Sequence, residues 1–176
     1  MRTLPLIAAG LLALAAPASA EEPVQAPAPE PAPAGGLVVA TTLAGGAEAG
    51  LDAGKAGLLE LEFLAGWDIP ATAARAGLLI RPEIALALGS APDAHVGLRP
   101  GVRLSIPETP LWLRAAFDFS NARGKDPRWR WVLVGVAWEV RMTDFFGFTV
   151  GAETGLPLSG SAGLPLMIRV GATFRP

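Results

Sequence analysis

"LLIRPEIALAL", residues 78–88, alternates at period two. One series is Leu78, Ile80, Pro82, Ile84, Leu86 and Leu88; the other is Leu79, Arg81, Glu83, Ala85 and Ala87. Successive side chains of a strand point to opposite faces, so the stretch reads as a strand with one aliphatic face and one face that carries charge. In a soluble protein the aliphatic face covers a core and the charges meet water. In a membrane barrel the two faces exchange roles, and the choice between them has to come from the other strands.

From Leu37 onward the chain resolves into eight apolar alternating runs separated by clusters of Gly, Pro, Asp and Ser, near 37–44, 57–67, 77–88, 95–106, 111–120, 129–142, 145–155 and 164–174. Most are close to the roughly 9–11 residues that a tilted strand needs to cross a bilayer. Phased at period two, the second run presents Leu59, Leu61, Phe63, Ala65 and Trp67 on its apolar face. The fourth presents Val96, Leu98, Pro100, Val102, Leu104 and Ile106, and the fifth Leu111, Leu113, Ala115, Phe117 and Phe119. The sixth presents Val132, Val134, Val136, Trp138 and Val140, the seventh Phe146, Phe148, Val150 and Ala152, and the eighth Leu164, Leu166, Ile168, Val170, Ala172 and Phe174. None of these positions is charged.

The opposite faces collect Glu60, Glu62, Arg81, Glu83, Arg99, Arg103, Arg114, Asp118, Glu139, Arg141, Glu153 and Arg169, six carboxylates and six arginines set among Gly, Ala, Ser and Thr. The solvent face of a soluble sheet is normally rich in Lys, Glu, Gln and Asn. Here both lysines, Lys55 and Lys125, fall in expected connections. Equal numbers of Arg and carboxylate among small residues suit a crowded interior in which bidentate pairs satisfy each charge. An eight-stranded barrel has an interior just wide enough for side chains to fill it. The charged face is therefore expected inside and the aliphatic face against lipid.

Outer connections are expected near 45–56, 89–94, 121–128 and 156–163, with inner turns near 68–76, 107–110 and 143–144, the last two short and the first longer than the barrel pattern asks. Aromatics sort to strand ends, Trp67, Trp112, Phe145, Phe146 and Phe174 at the inner rim and Phe117, Phe119, Trp129 and Trp131 at the outer. Trp112 and Trp131 fall in the charged phase and are candidates to cap the interior. A hairpin centred near residue 91 would set Pro82 across from Pro100 and Glu83 across from Arg99, which predicts an ion pair between the last two.

Residues 1–20 read as an export signal: Arg2, then the apolar "LPLIAAGLLALAA", then Ala18-Ser19-Ala20 as the cleavage site. Residues 21–36, "EEPVQAPAPEPAPAGG", read as an extended Pro/Ala tether, and 37–176 as the barrel. The chain has no cysteine, so neither a disulfide framework nor a lipidated Cys is expected. With 14 basic against 16 acidic residues and few lysines, nucleic acid is not an expected partner.

At this point residues 37–176 resemble the small outer-membrane barrels of Gram-negative bacteria, the OmpA-transmembrane and OmpX type. The most specific piece is the end, "LPLMIRVGATFRP", whose Leu166, Ile168, Val170 and Phe174 look like the C-terminal signal read by the barrel-assembly machinery. The chain departs from that pattern by continuing to Arg175 and Pro176 beyond the aromatic. The resemblance implies an all-β, eight-stranded antiparallel up-and-down transmembrane barrel in the outer membrane. It also implies lipid and the assembly machinery as partners.

His95, the sole histidine, is read as an ordinary surface residue at the outer end of the fourth strand, beside Ser90 and Asp93; an active site is not expected. No metal or cofactor site is expected, since there is no second His, no Cys and no calcium-type loop. Balanced interior charges argue for a plug of ion pairs rather than a large selective pore. The expected role is structural or surface-interactive, with at most weak protein contacts. The alternatives are a soluble periplasmic barrel carrying an apolar ligand and, further off, a small channel or a lipid-modifying enzyme built on His95.

Overall fold

The computed structural model describes residues 35–50, 54–71, 78–91, 93–121, 126–158 and 163–176. The export signal at 1–20 and the tether at 21–36, apart from Gly35 and Gly36, lie outside the described residues. Eight strands follow one another: β1 (Gly36–Gly50), β2 (Gly54–Pro70), β3 (Leu79–Ala91), β4 (His95–Ser105), β5 (Leu111–Ser120), β6 (Arg128–Arg141), β7 (Phe146–Pro157) and β8 (Leu164–Phe174). Each pairs antiparallel with the next, and β1 pairs with β8, so the sheet closes with no free edge. With an even number of strands, the start of β1 and the end of β8 share one end of the barrel. We call it the terminal end, and the opposite one the far end.

Burial alternates along the strands in the phase that puts charges inside. On β5, Trp112, Arg114, Ala116, Asp118 and Ser120 are buried, while Leu113, Ala115 and Phe117 are exposed. On β8, Leu164, Leu166, Ile168 and Val170 are exposed, and Met167 and Arg169 are buried. The choice left open by residues 78–88 resolves the same way: Ile80, Ile84, Leu86 and Leu88 face out, Leu79, Arg81, Glu83, Ala85 and Ala87 face in.

Three expectations are corrected. The first concerns the connections. Residues 45–56, expected as a loop, are mostly ladder: β1 and β2 stay paired from Gly45↔Leu59 to Gly50↔Gly54, and Lys55 is opposite Ala49 rather than in a connection. Gly and Ala on both faces erase the period-two contrast that marks a strand, yet nothing in the run interrupts backbone pairing. The far-end connections therefore reduce to 51–53, 92–94, 121–127 and 158–163, against 71–78, 106–110 and 142–145 at the terminal end. The expected excess of outer-loop length is absent.

The second correction is register. Pro82 pairs with Val102, Glu83 with Gly101 and Ala85 with Arg99, so the β3–β4 hairpin is centred one residue later than expected. Moving the centre by one changes each partner by two, which keeps every face and replaces every neighbour. The expected Glu83–Arg99 pair is not formed; each finds other partners. Third, β6 carries a bulge: Phe119 pairs with Trp129 and Asp118 with Trp131, so the β5–β6 register steps over Arg130. Strict alternation would put Arg130 on the apolar face. The bulge turns it inward, where it is buried and its Nε donates to the Ser120 carbonyl (3.3 Å).

Pro82 of β3 and Pro100 of β4 each sit at a ladder gap. The β2–β3 ladder stops at Gly66↔Glu83 and resumes at Ile69↔Ile80, skipping Pro82. The β4–β5 ladder stops at Leu98↔Phe119 and resumes at Gly101↔Ala116, skipping Pro100. Proline has no N–H to donate. Across each gap the residue before the proline reaches an aspartate on the neighbouring strand: Arg81 Nε to Asp68 Oδ1 at 2.6 Å, and Arg99 Nε to Asp118 Oδ1 at 2.7 Å. Side-chain ion pairs bridge the strands where backbone rungs are missing.

Candidate functional site: the ionic interior

Eleven of the twelve charged residues selected from the sequence are buried within the barrel. Strand alternation aims them inward, and the neighbouring Gly, Ala and Thr leave room for their length. They form three tiers along the axis.

At the terminal end Arg81 grips Asp68 with two nitrogens, Nε at 2.6 Å and Nη2 at 3.2 Å, and reaches Glu139 with Nη1 at 3.2 Å. Its guanidinium lies 4.2 Å from the ring centroid of Trp112, a cation–π stack inside the barrel. Arg175 folds back into this tier, pairing with Glu139 and lying 3.5 Å from Asp68.

The middle tier centres on Arg114, which donates to Glu83 (2.7 Å), Glu153 (2.5 Å) and Glu62. Arg103 holds the other oxygen of Glu83 at 2.6 Å. Arg169 donates to Glu153 at 2.9 Å and pairs with Glu62. A cavity of about 20 Å³ bordered by Thr42, Arg103, Arg114, Glu153 and Arg169 has room for about one water.

In the far tier Arg99 spans Asp118 (2.7 Å) and both oxygens of Glu60 (2.7 and 3.0 Å), and lies 3.3 Å from Glu62. Ser120 Oγ donates to Asp118 at 2.6 Å. Alongside this tier is a second, apolar filling: Ala44, Leu58, Ala116, Trp131, Leu133 and Met167 pack together inside the barrel. Trp131 Nε1 donates to the Gly163 carbonyl at 2.8 Å, and the Gly163 amide donates to Glu48 at 2.6 Å, tying the β7–β8 connection to the interior.

Arg141 departs from the expectation: it is exposed at the end of β6, beyond the network. Five residues of the interior were not selected from the sequence. Asp68 fell in an expected turn, Glu48 in an expected loop, Arg130 in the apolar phase of the sixth run, and Arg175 beyond the aromatic that closes the terminal signal. His95, read as a surface residue, is buried, with its ring against Glu60. The alternation of β2 carried through to Asp68 would have found that residue. No local signal marks the other four.

Among the described residues the outward faces of the strands are predominantly apolar. Trp67, Trp138 and Phe145 are exposed near the terminal end, where Phe146 and Phe174 pack at 5.4 Å. Phe117, Phe119 and Trp129 cluster at the far end, Trp129 lying 6.0 and 5.1 Å from the two phenylalanines. Trp112 and Trp131 belong to the interior instead. Leu166, Ile168, Val170 and Phe174 all lie exposed on the outer surface of β8.

A closed, antiparallel, eight-stranded barrel, ionic within and apolar without, has the architecture of the small membrane-spanning barrels. In three dimensions the chain is similar to Neisserial surface protein A, with a TM-score of 0.55 at 12% sequence identity, covering 82% of this chain and 100% of that one. The similarity is one of fold. No family model and no curated protein matches the sequence.

Proposed function

We propose that the chain is an integral outer-membrane protein of a Gram-negative bacterium, with a structural or surface-interaction role and an interior plugged against large solutes. The observation that carries this reading is the inverted polarity: Arg and carboxylate inside, a continuous band of Leu, Ile, Val, Phe and Trp outside. An apolar surface of that extent needs hydrocarbon against it, and a closed barrel presents no open sheet edge there. The terminal end, where β1 begins and β8 ends, faces the periplasm, and the export signal read at residues 1–20 delivers the chain. The fold shared with a protein named for the Neisserial surface supports the same compartment.

Three tiers of ion pairs and the apolar filling around Trp131 support a plug. Leu166, Ile168, Val170 and Phe174, displayed on one face of the last strand, suit recognition by the assembly machinery. A carrier of apolar ligands would need the opposite polarity inside. A non-enzymatic role is supported by the surroundings of His95: its ring nitrogens face Asp93 and Glu60, while the hydroxyl of Ser120 is committed to Asp118.

Extraction from membranes should require detergent, and gel migration should change on boiling; release by osmotic shock overturns the membrane assignment. Planar-bilayer recordings should show no stable large conductance, and such a conductance would overturn the plug.

A further inference from the structure

We propose that His95 is a pH-operated latch: its protonated ring ties the Asp93 side of the β3–β4 hairpin to Glu60 of β2, and the neutral ring releases it. The far aromatic girdle stands at the level of Leu98, the partner of Phe119. His95 is three residues beyond Leu98 and so outside the membrane-spanning part, yet its side chain is buried.

Both ring nitrogens face oxygens. Nδ1 is 2.9 Å from the backbone carbonyl of Asp93, in the hairpin, and Nε2 is 3.1 Å from Oε1 of Glu60, on β2. A carbonyl can only accept, and so can an ionised carboxylate. Only the imidazolium, with a proton on each nitrogen, satisfies both; either neutral tautomer sets a lone pair against an oxygen.

The surrounding charges have a place for that cation. Arg99, on β4 itself, is shared by Glu60 and Glu62 of β2 and Asp118 of β5, and Arg130 of β6, buried at the same end, donates to the Ser120 carbonyl. Strand β3 faces the ring with Gly89, which carries no charge, and the hairpin adds Asp93. The hydrogen bond to Glu60 raises the ring's affinity for its proton above that of an ordinary histidine, aided by the Asp93 carbonyl and outweighing burial and the like charge of Arg99.

A second, steric observation points the same way. His95 pairs across the hairpin with Gly89, and its ring occupies the space a β-carbon on Gly89 would take. The ring thus folds over its own cross-strand partner to reach β2, so one side chain joins the hairpin, β3, β4 and β2. Loss of one proton removes a hydrogen bond and sets a ring lone pair against either the Asp93 carbonyl or the Glu60 carboxylate.

The chain has one histidine and no cysteine, so two probes are unambiguous. In phospholipid nanodiscs, imidazole ¹⁵N spectra report His95 alone. A nitroxide on Asp93→Cys, which keeps the backbone carbonyl, reports the hairpin. We expect both nitrogens protonated at pH 7 and a midpoint above the free value of about 6.5. The nitroxide should pass from immobilised to mobile over the same interval. Glu60→Gln should lower the midpoint by about one unit, and Gly89→Ala, which displaces the ring, should abolish the nitroxide response. A ring with a single N–H at pH 7, a nitroxide spectrum unchanged through the ring's titration, a midpoint unmoved in Glu60→Gln, or a response that survives Gly89→Ala would each overturn the proposal.

Discussion

Val134→Arg tests the inverted polarity most directly. Val134 is exposed on the outer face of β6, between Ala115 of β5 and Thr154 of β7. Along its strand it stands between Trp129 of the far girdle and Trp138 of the terminal one. A strand rises about 3.3 Å per residue, or about 2.5 Å along the axis when tilted near 40°. Because the bulge takes up one residue, Val134 stands four ladder steps from each girdle, about 10 Å, close to the middle of an apolar band about 25 Å tall. An arginine there should cost about 2–4 kcal/mol, roughly a 30- to 1000-fold shift in the folding equilibrium. Val140→Arg, beyond Trp138 on the same face, should cost only about 0–1 kcal/mol, because the guanidinium reaches the interface. Reversible urea unfolding in phospholipid vesicles, followed by tryptophan fluorescence and heat-modifiable migration, compares the two. Equal costs, or a neutral Val134→Arg, would refute a lipid-facing exterior.

Glu62→Gln should be among the most damaging single changes to the interior. Its carboxylate is fully buried against Arg99, Arg114 and Arg169, and removing one partner of a buried network costs about 3–5 kcal/mol, read by the same urea titration. Pro82→Val should stabilise by about 0.5–1.5 kcal/mol, because it supplies the N–H that the β2–β3 ladder lacks. The same change should lessen the penalty of Asp68→Asn, since Arg81–Asp68 would no longer be the link across that gap, and a double-mutant cycle measures this coupling. For His95 the folded-state shift is upward, with the Glu60 hydrogen bond as its leading cause. Its stabilising contribution is therefore complete below the unfolded value of about 6.5 and disappears as pH rises through the higher folded value. The urea midpoint of the wild type should approach that of His95→Gln on the alkaline side, and a gap that widens there would contradict the assignment.

The inside and outside of each strand were legible in the chain itself. Side chains of a strand alternate strictly, so Leu59–Leu61–Phe63 and Glu60–Glu62 declare opposite faces without reference to any other residue. Strand number and the residues that fill the barrel follow from the same local rule. It failed where the contrast vanished, in the Gly/Ala run after Ala44, and where a bulge changed the phase at Arg130. His95, a single polar residue at a strand end, carried no period at all.

Partnership is a different kind of information. That Glu83 meets Arg103 and Arg114 rather than Arg99, that Asp68 spans the gap left by Pro82, and that Arg175 returns to Glu139 all depend on the registers of several hairpins at once and on how β1 closes against β8. Alternation along one strand specifies which face a charge takes but is unchanged when its partner slides by two residues. The polarity of the barrel is therefore written in local order. The pairing of its interior charges was decided only by closure, because each ion pair joins residues whose separation is set by the whole ring of strands.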